Sequence, residues 1–84
     1  MIREVKPKYT SDAMIRKVEG TVVLEFVVRS DGRPSDIRVL RSLDPGGLDE
    51  QAMIAAAEWR FDPGRLGAKP VDMLVTLYLD FSLR

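Results

Sequence analysis

VDMLVTLYLDFSL, residues 71–83, decides the fold. Val71, Met73, Val75, Leu77, Leu79, Phe81 and Leu83 occupy every second position, and because strand side chains alternate between faces they all point one way. The other face carries Asp72, Leu74, Thr76, Tyr78, Asp80 and Ser82, a mixture that tolerates water. The expectation is a strand with one wholly apolar face, in a sheet covered on one side only.

Working outward, Leu66 to Pro70 reads as a loop, and before it Leu48, Ala52, Ala55, Ala56 and Trp59 repeat at helical spacing. This predicts a helix from about Leu48 to Trp59, with Asp44-Pro45-Gly46-Gly47 before it and Asp62-Pro63-Gly64 to stop it. Asp49 and Glu50 in its first turn suit the positive end of the helix dipole, and Arg60 has the complementary sign at the other end. Further upstream, TVVLEFVVR (21–29) puts Val22, Leu24, Phe26 and Val28 on one face and Thr21, Val23, Glu25, Val27 and Arg29 on the other. Ser30 to Pro34 supplies turn chemistry, and Asp36 to Ser42 returns as a shorter, more polar strand, so a hairpin is expected. Ser11 offers an N-cap for a short helix whose Met14, Ile15 and Val18 pack on the sheet, with Gly20 placed to stop it. Residues 1–10, with Pro7, read as an extended lead-in.

Direction counting then sets the topology. The first strand runs up, the second down, the helix carries the chain back, and the last strand runs down beside the first. The predicted fold is a single α+β domain spanning residues 1–84: a two-layer structure with a three-stranded antiparallel sheet, ordered second-first-last, and two helices on one face. The last strand is an edge.

Composition narrows the function. In 84 residues, 13 basic side chains balance 13 acidic ones, with no histidine and no cysteine. A basic nucleic-acid footprint is missing, and so are the side chains of a Ser-His-Asp or Cys-His nucleophile. Nothing places a lysine beside Ser30, Ser35 or Ser42. Asp31, Asp36, Asp44, Asp49 and Glu50 have plainer roles in turns, loops and a helix start than in metal binding, and the glycines make no phosphate-binding fingerprint. We expect no catalysis, no cofactor and no metal. Apolar runs such as Val22 to Leu24 and Ala52 to Ala57 fall far short of the roughly 20 residues that span a bilayer, so no membrane contact by this fragment is expected. MIREVKPKY lacks a signal peptide's apolar region, which puts any export signal of the parent protein outside this sequence. Arg29, Arg38 and Arg41 put positive charge on the hairpin, but with Glu25 and Asp36 nearby a solvated mixed face is the plainer reading. Trp59 lies on the helix's apolar stripe and belongs to the core.

The edge remains as the functional candidate. An edge strand displays unpaired backbone N–H and C=O groups to which an incoming peptide can add. Between Asp72 and Asp80, its outer face carries the uncharged Leu74, Thr76 and Tyr78. The competing occupants are a second copy of the chain and the chain's own lead-in.

The order and spacing of several short features carry a resemblance. They are Pro7 and Tyr9 with Ala13 downstream, Glu19-Gly20-Thr21-Val22 entering a strand, and Asp31-Gly32 in the hairpin. They continue with Leu48-Asp49 and Ala52 opening the helix, Trp59-Arg60-Phe61 with Pro63 closing it, and Gly67 with Pro70-Val71 before the last strand. In these the chain resembles the C-terminal domain of the TonB family over nearly its whole length, with Thr10 standing where the family commonly has proline. The resemblance implies a periplasmic module of an energy transducer anchored in the inner membrane. Its partner would be the TonB box of an outer-membrane transporter, gripped as an added strand so that proton-motive force is coupled to uptake. The positions matching that role are Leu74, Val75, Thr76, Leu77, Tyr78 and Leu79, with Tyr9 beside them. The alternative implied is a structural or self-assembly module of another envelope protein, forming a homodimer through the last strand.

Overall fold

A computed structural model of the chain describes residues 3–83. Its elements are α1 (Ser11–Ile15), β1 (Gly20–Val28), β2 (Pro34–Arg41), α2 (Leu48–Glu58), β3 (Gly64–Leu66), β4 (Lys69–Val71) and β5 (Met73–Phe81). The main sheet is antiparallel with order β2-β1-β5, as direction counting requires. β1 is its centre, with Val22, Leu24, Phe26 and Val28 buried on one face. Those residues meet Leu48, Ala52 and Ala56 of α2, together with Trp59, Leu79 and Phe81. The small side chains of α2 let the helix lie close to β1 and β2.

The β1–β2 connection is the five residues 29–33, closed by two backbone hydrogen bonds. Arg29 N donates to Arg33 O at 2.9 Å and Gly32 N to Arg29 O at 2.8 Å. Gly32 holds φ +86°, and a Cβ there would stand 2.3 Å from Phe61 O, so this position demands glycine. Pro34 enters the sheet as the first residue of β2, where a missing N–H is tolerated.

Several expectations are corrected. Thr10, not Ser11, caps α1: its side chain accepts from Ala13 N at 3.1 Å. The helix ends at Ile15 rather than near Gly20, because Lys17 adopts φ 55° and closes a left-handed C-terminal turn. Val18 N donates to Ala13 O and Lys17 N to Met14 O. That early stop turns Ile15 (80% exposed) and Met14 (47%) to solvent instead of onto the sheet, and leaves Ala13 as the buried contact. Gly20 opens β1. The helix over 48–59 stops at Glu58, ahead of Asp62-Pro63-Gly64, because Trp59 turns extended with ψ 151°.

Leu66 to Pro70 is not a loop. β3 and β4 pair around the two-residue turn Gly67-Ala68, with Gly67 at φ 62°. Asp72 then interrupts the final strand before β5. Nor is the apolar face of that strand wholly buried. α2 lies over β1 and β2, so only the far end of β5 is sealed, at Leu79 and Phe81, while Met73 is 53% and Leu83 40% exposed.

Candidate functional edge and groove

β5 pairs with β1 without a break over nine residues, from Gly20 opposite Phe81 to Val28 opposite Met73. Among the described residues, its other side pairs with no strand. The phase of that open side follows from two hydrogen bonds. In an antiparallel sheet, successive residues send their N–H and C=O to alternate neighbours. Arg29 N donates toward β2, to Arg33 O, and Ser30 N donates toward β5, to Asp72 Oδ1 at 2.9 Å. Carried back along β1, this alternation aims Val22, Leu24, Phe26 and Val28 at β5. Their partners Leu79, Leu77, Val75 and Met73 therefore bond inward. Leu74, Thr76 and Tyr78 turn their backbone groups to the open side.

Side chains follow the same parity. Leu74 and Tyr78 are 64% and 67% exposed and Thr76 is exposed, all on the sheet face that no helix covers. Val75 and Leu77 are half-buried beneath, and Leu79 is buried. The sequence-picked residues thus divide: Leu74, Thr76 and Tyr78 are accessible in both backbone and side chain, whereas Val75, Leu77 and Leu79 build the layer behind them.

Both ends of β5 are clipped to β1. Asp72 accepts from Arg29 Nη1 at 3.0 Å and from Ser30 N, and Asp80 Oδ1 accepts from Thr21 Oγ1 at 2.6 Å. Arg29 also reaches Asp36 at 3.4 Å, and Arg38 is paired to Glu25. The hairpin arginines are thereby largely neutralised into a mixed surface.

The lead-in does not occupy the edge. Arg3 and Arg60 exchange backbone hydrogen bonds of 3.0 Å, and the Trp59 indole N–H donates to Val5 O at 2.7 Å. Tyr9 sits beside the strand end, its ring edge-on to Phe81 with centroids 5.6 Å apart and its hydroxyl donating to Val18 O. Burial, reinforced by the Glu19 carboxylate, pushes the Tyr9 phenol up and keeps it a donor. Between this lead-in and the end of β5 lies a groove of about 450 Å³, bordered by Val5, Pro7, Tyr9, Trp59, Tyr78, Leu79 and Phe81. Sequence reasoning missed Val5, Pro7 and Trp59 as groove residues. Only the proximity of the lead-in to Trp59 reveals them, and no periodicity encodes it.

No group of His, Cys, Asp or Glu large enough to hold a metal occurs among the described residues. No helix among them is long and apolar enough to cross a membrane.

The fold and edge define a two-layer α+β domain with one side of its sheet open. Residues 5–83 match the family model of the Gram-negative bacterial TonB protein C-terminal. Protein tonB2 of Pseudomonas aeruginosa is 40% identical over 77 residues, covering 92% of this chain and 28% of that protein. Protein TonB of the same organism is 37% identical over 82 residues, 98% of this chain and 24% of the relative. The chain therefore spans about a quarter of the length of these relatives. The solution NMR structure of the Pseudomonas aeruginosa TonB CTD superposes with a TM-score of 0.81 at 36% identity, covering 98% of this chain and 83% of that one. The chain belongs to the TonB C-terminal family.

Proposed function

We propose that this chain is the non-catalytic, periplasmic partner-binding domain of a TonB-type energy transducer anchored in the inner membrane. It binds the TonB box of an outer-membrane transporter as a strand added to β5, coupling proton-motive force to uptake. The observation that carries the reading is the open row of backbone groups at Leu74, Thr76 and Tyr78, flanked by uncharged side chains. Natural proteins blunt such edges unless another strand uses them. Tyr9 supports the strand end through Phe81.

The test is titration of the isotope-labelled domain with a TonB-box peptide. Backbone amide signals from Val71 to Phe81 should move most. Shifts confined to other regions, or none in the monomer, would overturn the site. A second reading has an observation of its own. With Leu74 and Tyr78 both well exposed, the edge is suited to a second copy of itself, giving a structural module that dimerises through β5. Sedimentation of the free domain separates the two readings.

A further inference from the structure

Residues 63–71, PGRLGAKPV, contain two basic side chains, Arg65 and Lys69, and no acidic one. In the fold this stretch carries the β3–β4 hairpin, turned at Gly67-Ala68 with Gly67 at φ 62°. Arg65 to Pro70 are all exposed, the longest such run among the described residues, and a Cβ at Gly67 would meet nothing within 4 Å. The turn therefore stands clear of the rest of the domain. Leu66, beside it, is 76% exposed. Elsewhere, Arg16, Arg29, Arg33 and Arg38 are each paired with a carboxylate, whereas Arg65 and Lys69 pair with none among the described residues. Asp72, the next acid along the chain, is already held by Arg29 and Ser30.

We propose that this hairpin tip is a contact for an anionic lipid surface, with Leu66 entering the headgroup layer and Arg65 and Lys69 holding phosphates around it. The register favours a membrane over a protein. Arg65 lies opposite Pro70, and Leu66 opposite Lys69. Directly paired residues share a face and successive ones alternate, so Lys69 stands on the face of Leu66 and Arg65 on the other. The apolar tip thus has a cation on each side. A planar layer of phosphates met end-on satisfies both, whereas a protein cleft that took one face of the ribbon would leave a cation unmatched. The long stems of Arg65 and Lys69 let their charges stay at phosphate level while Leu66 goes deeper. A peptide strand is the poorer occupant, because Pro70 removes a donor from β4. The short apolar runs of the sequence argue against a span, and a surface contact needs none. Nor does it depend on strand addition at β5. With two charges and one leucine, the binding is weak, reversible and salt-sensitive.

The test is co-sedimentation of the domain with vesicles of equal parts phosphatidylglycerol and phosphatidylcholine, against vesicles of phosphatidylcholine alone, at low and at high salt. Binding should be confined to the anionic vesicles and lost at high salt. Arg65→Gln and Lys69→Gln should each lower the partition coefficient about fivefold, and Leu66→Asp about tenfold or more. Arg38→Gln removes an exposed charge already paired with Glu25 and should change it little. Because Leu66 is exposed, its variants should keep the parent unfolding midpoint, and Leu66→Ser repeats the test without an added charge. Bicelles of the same lipids with a headgroup spin label should broaden the amides of Leu66, Gly67 and Ala68 before those of Thr76 and Tyr78. Broadening centred elsewhere, or equal binding by all the variants, would overturn the site. Binding indifferent to Leu66→Ser but displaced by inorganic phosphate would mean a plain anion site and overturn the lipid contact. No binding to anionic vesicles would overturn it as well and leave the hairpin to a protein partner.

Discussion

At the scale of single residues, Asp49 bears most on folding. It lies in the first turn of α2 but reaches back to accept from Ser42 Oγ, from Leu43 N at 2.8 Å and from Asp44 N at 2.9 Å. Burial alone would raise its pKa, but the three donors outweigh it and hold the carboxyl below its ordinary 3.8. A depressed folded pKa contributes stability that is present above the unfolded value and lost as pH falls through the folded one. Asp49→Asn faces three donors with an amide and should cost about 1–3 kcal/mol in urea unfolding at neutral pH. That deficit should shrink on acidification below 3.8. Gly32→Ala is the second residue-scale prediction: with φ +86° and the Phe61 carbonyl in the way, about 1–3 kcal/mol should be lost, read by the same denaturation. Neither role follows from the sequence in full. Asp49 reads there as a dipole partner, because the loop it secures is brought to it only by folding.

At the scale of elements, legibility tracked the length of each periodic run. β1 and β5 each alternate over nine residues, and α2 keeps its spacing over three turns, so their existence and pairing could be deduced. α1 could not be bounded, since a lysine in a left-handed conformation stops it and sequence signals point instead to the next glycine. β3 and β4 are three residues each, too short for alternation to register. The edge itself was legible. Its phase was not, because phase depends on how the Ser30 and Arg29 amides are used in the hairpin. That phase sharpens a prediction: Thr76→Pro removes an amide aimed at the open side and spares the ladder to β1. Calorimetric titration with the partner peptide should show Thr76→Pro weakening binding clearly more than Arg38→Ala, whose guanidinium lies on β2 and pairs with Glu25. Equal losses would count against β5 as the site.

At the scale of the whole molecule, the domain is elongated. Its radius of gyration is 14.0 Å, against about 12 Å for a compact chain of this length. The β3–β4 hairpin carries Leu66, 76% exposed, beside its two-residue turn. One open edge serves every candidate occupant, so peptide binding and dimerisation through β5 exclude each other. The apparent peptide affinity should fall as domain concentration rises, and saturating peptide should move the domain to the monomer position in sedimentation. Affinity independent of concentration, with a dimer that persists, would mean that the dimer uses another surface.

The clips at Asp72 and Asp80 give β5 a mechanical character. Strands come apart most easily by peeling from an end, one hydrogen bond at a time. Here each end of β5 is fastened to β1 by side chains as well as by the ladder: Asp72 to Arg29 and Ser30, Asp80 to Thr21. Tension drawn along a bound strand would reach β1 as shear across nine residue pairs loaded together, with peeling opposed at both ends. A strand held to β5 by its backbone ladder alone would slip from β5 before β5 left the sheet.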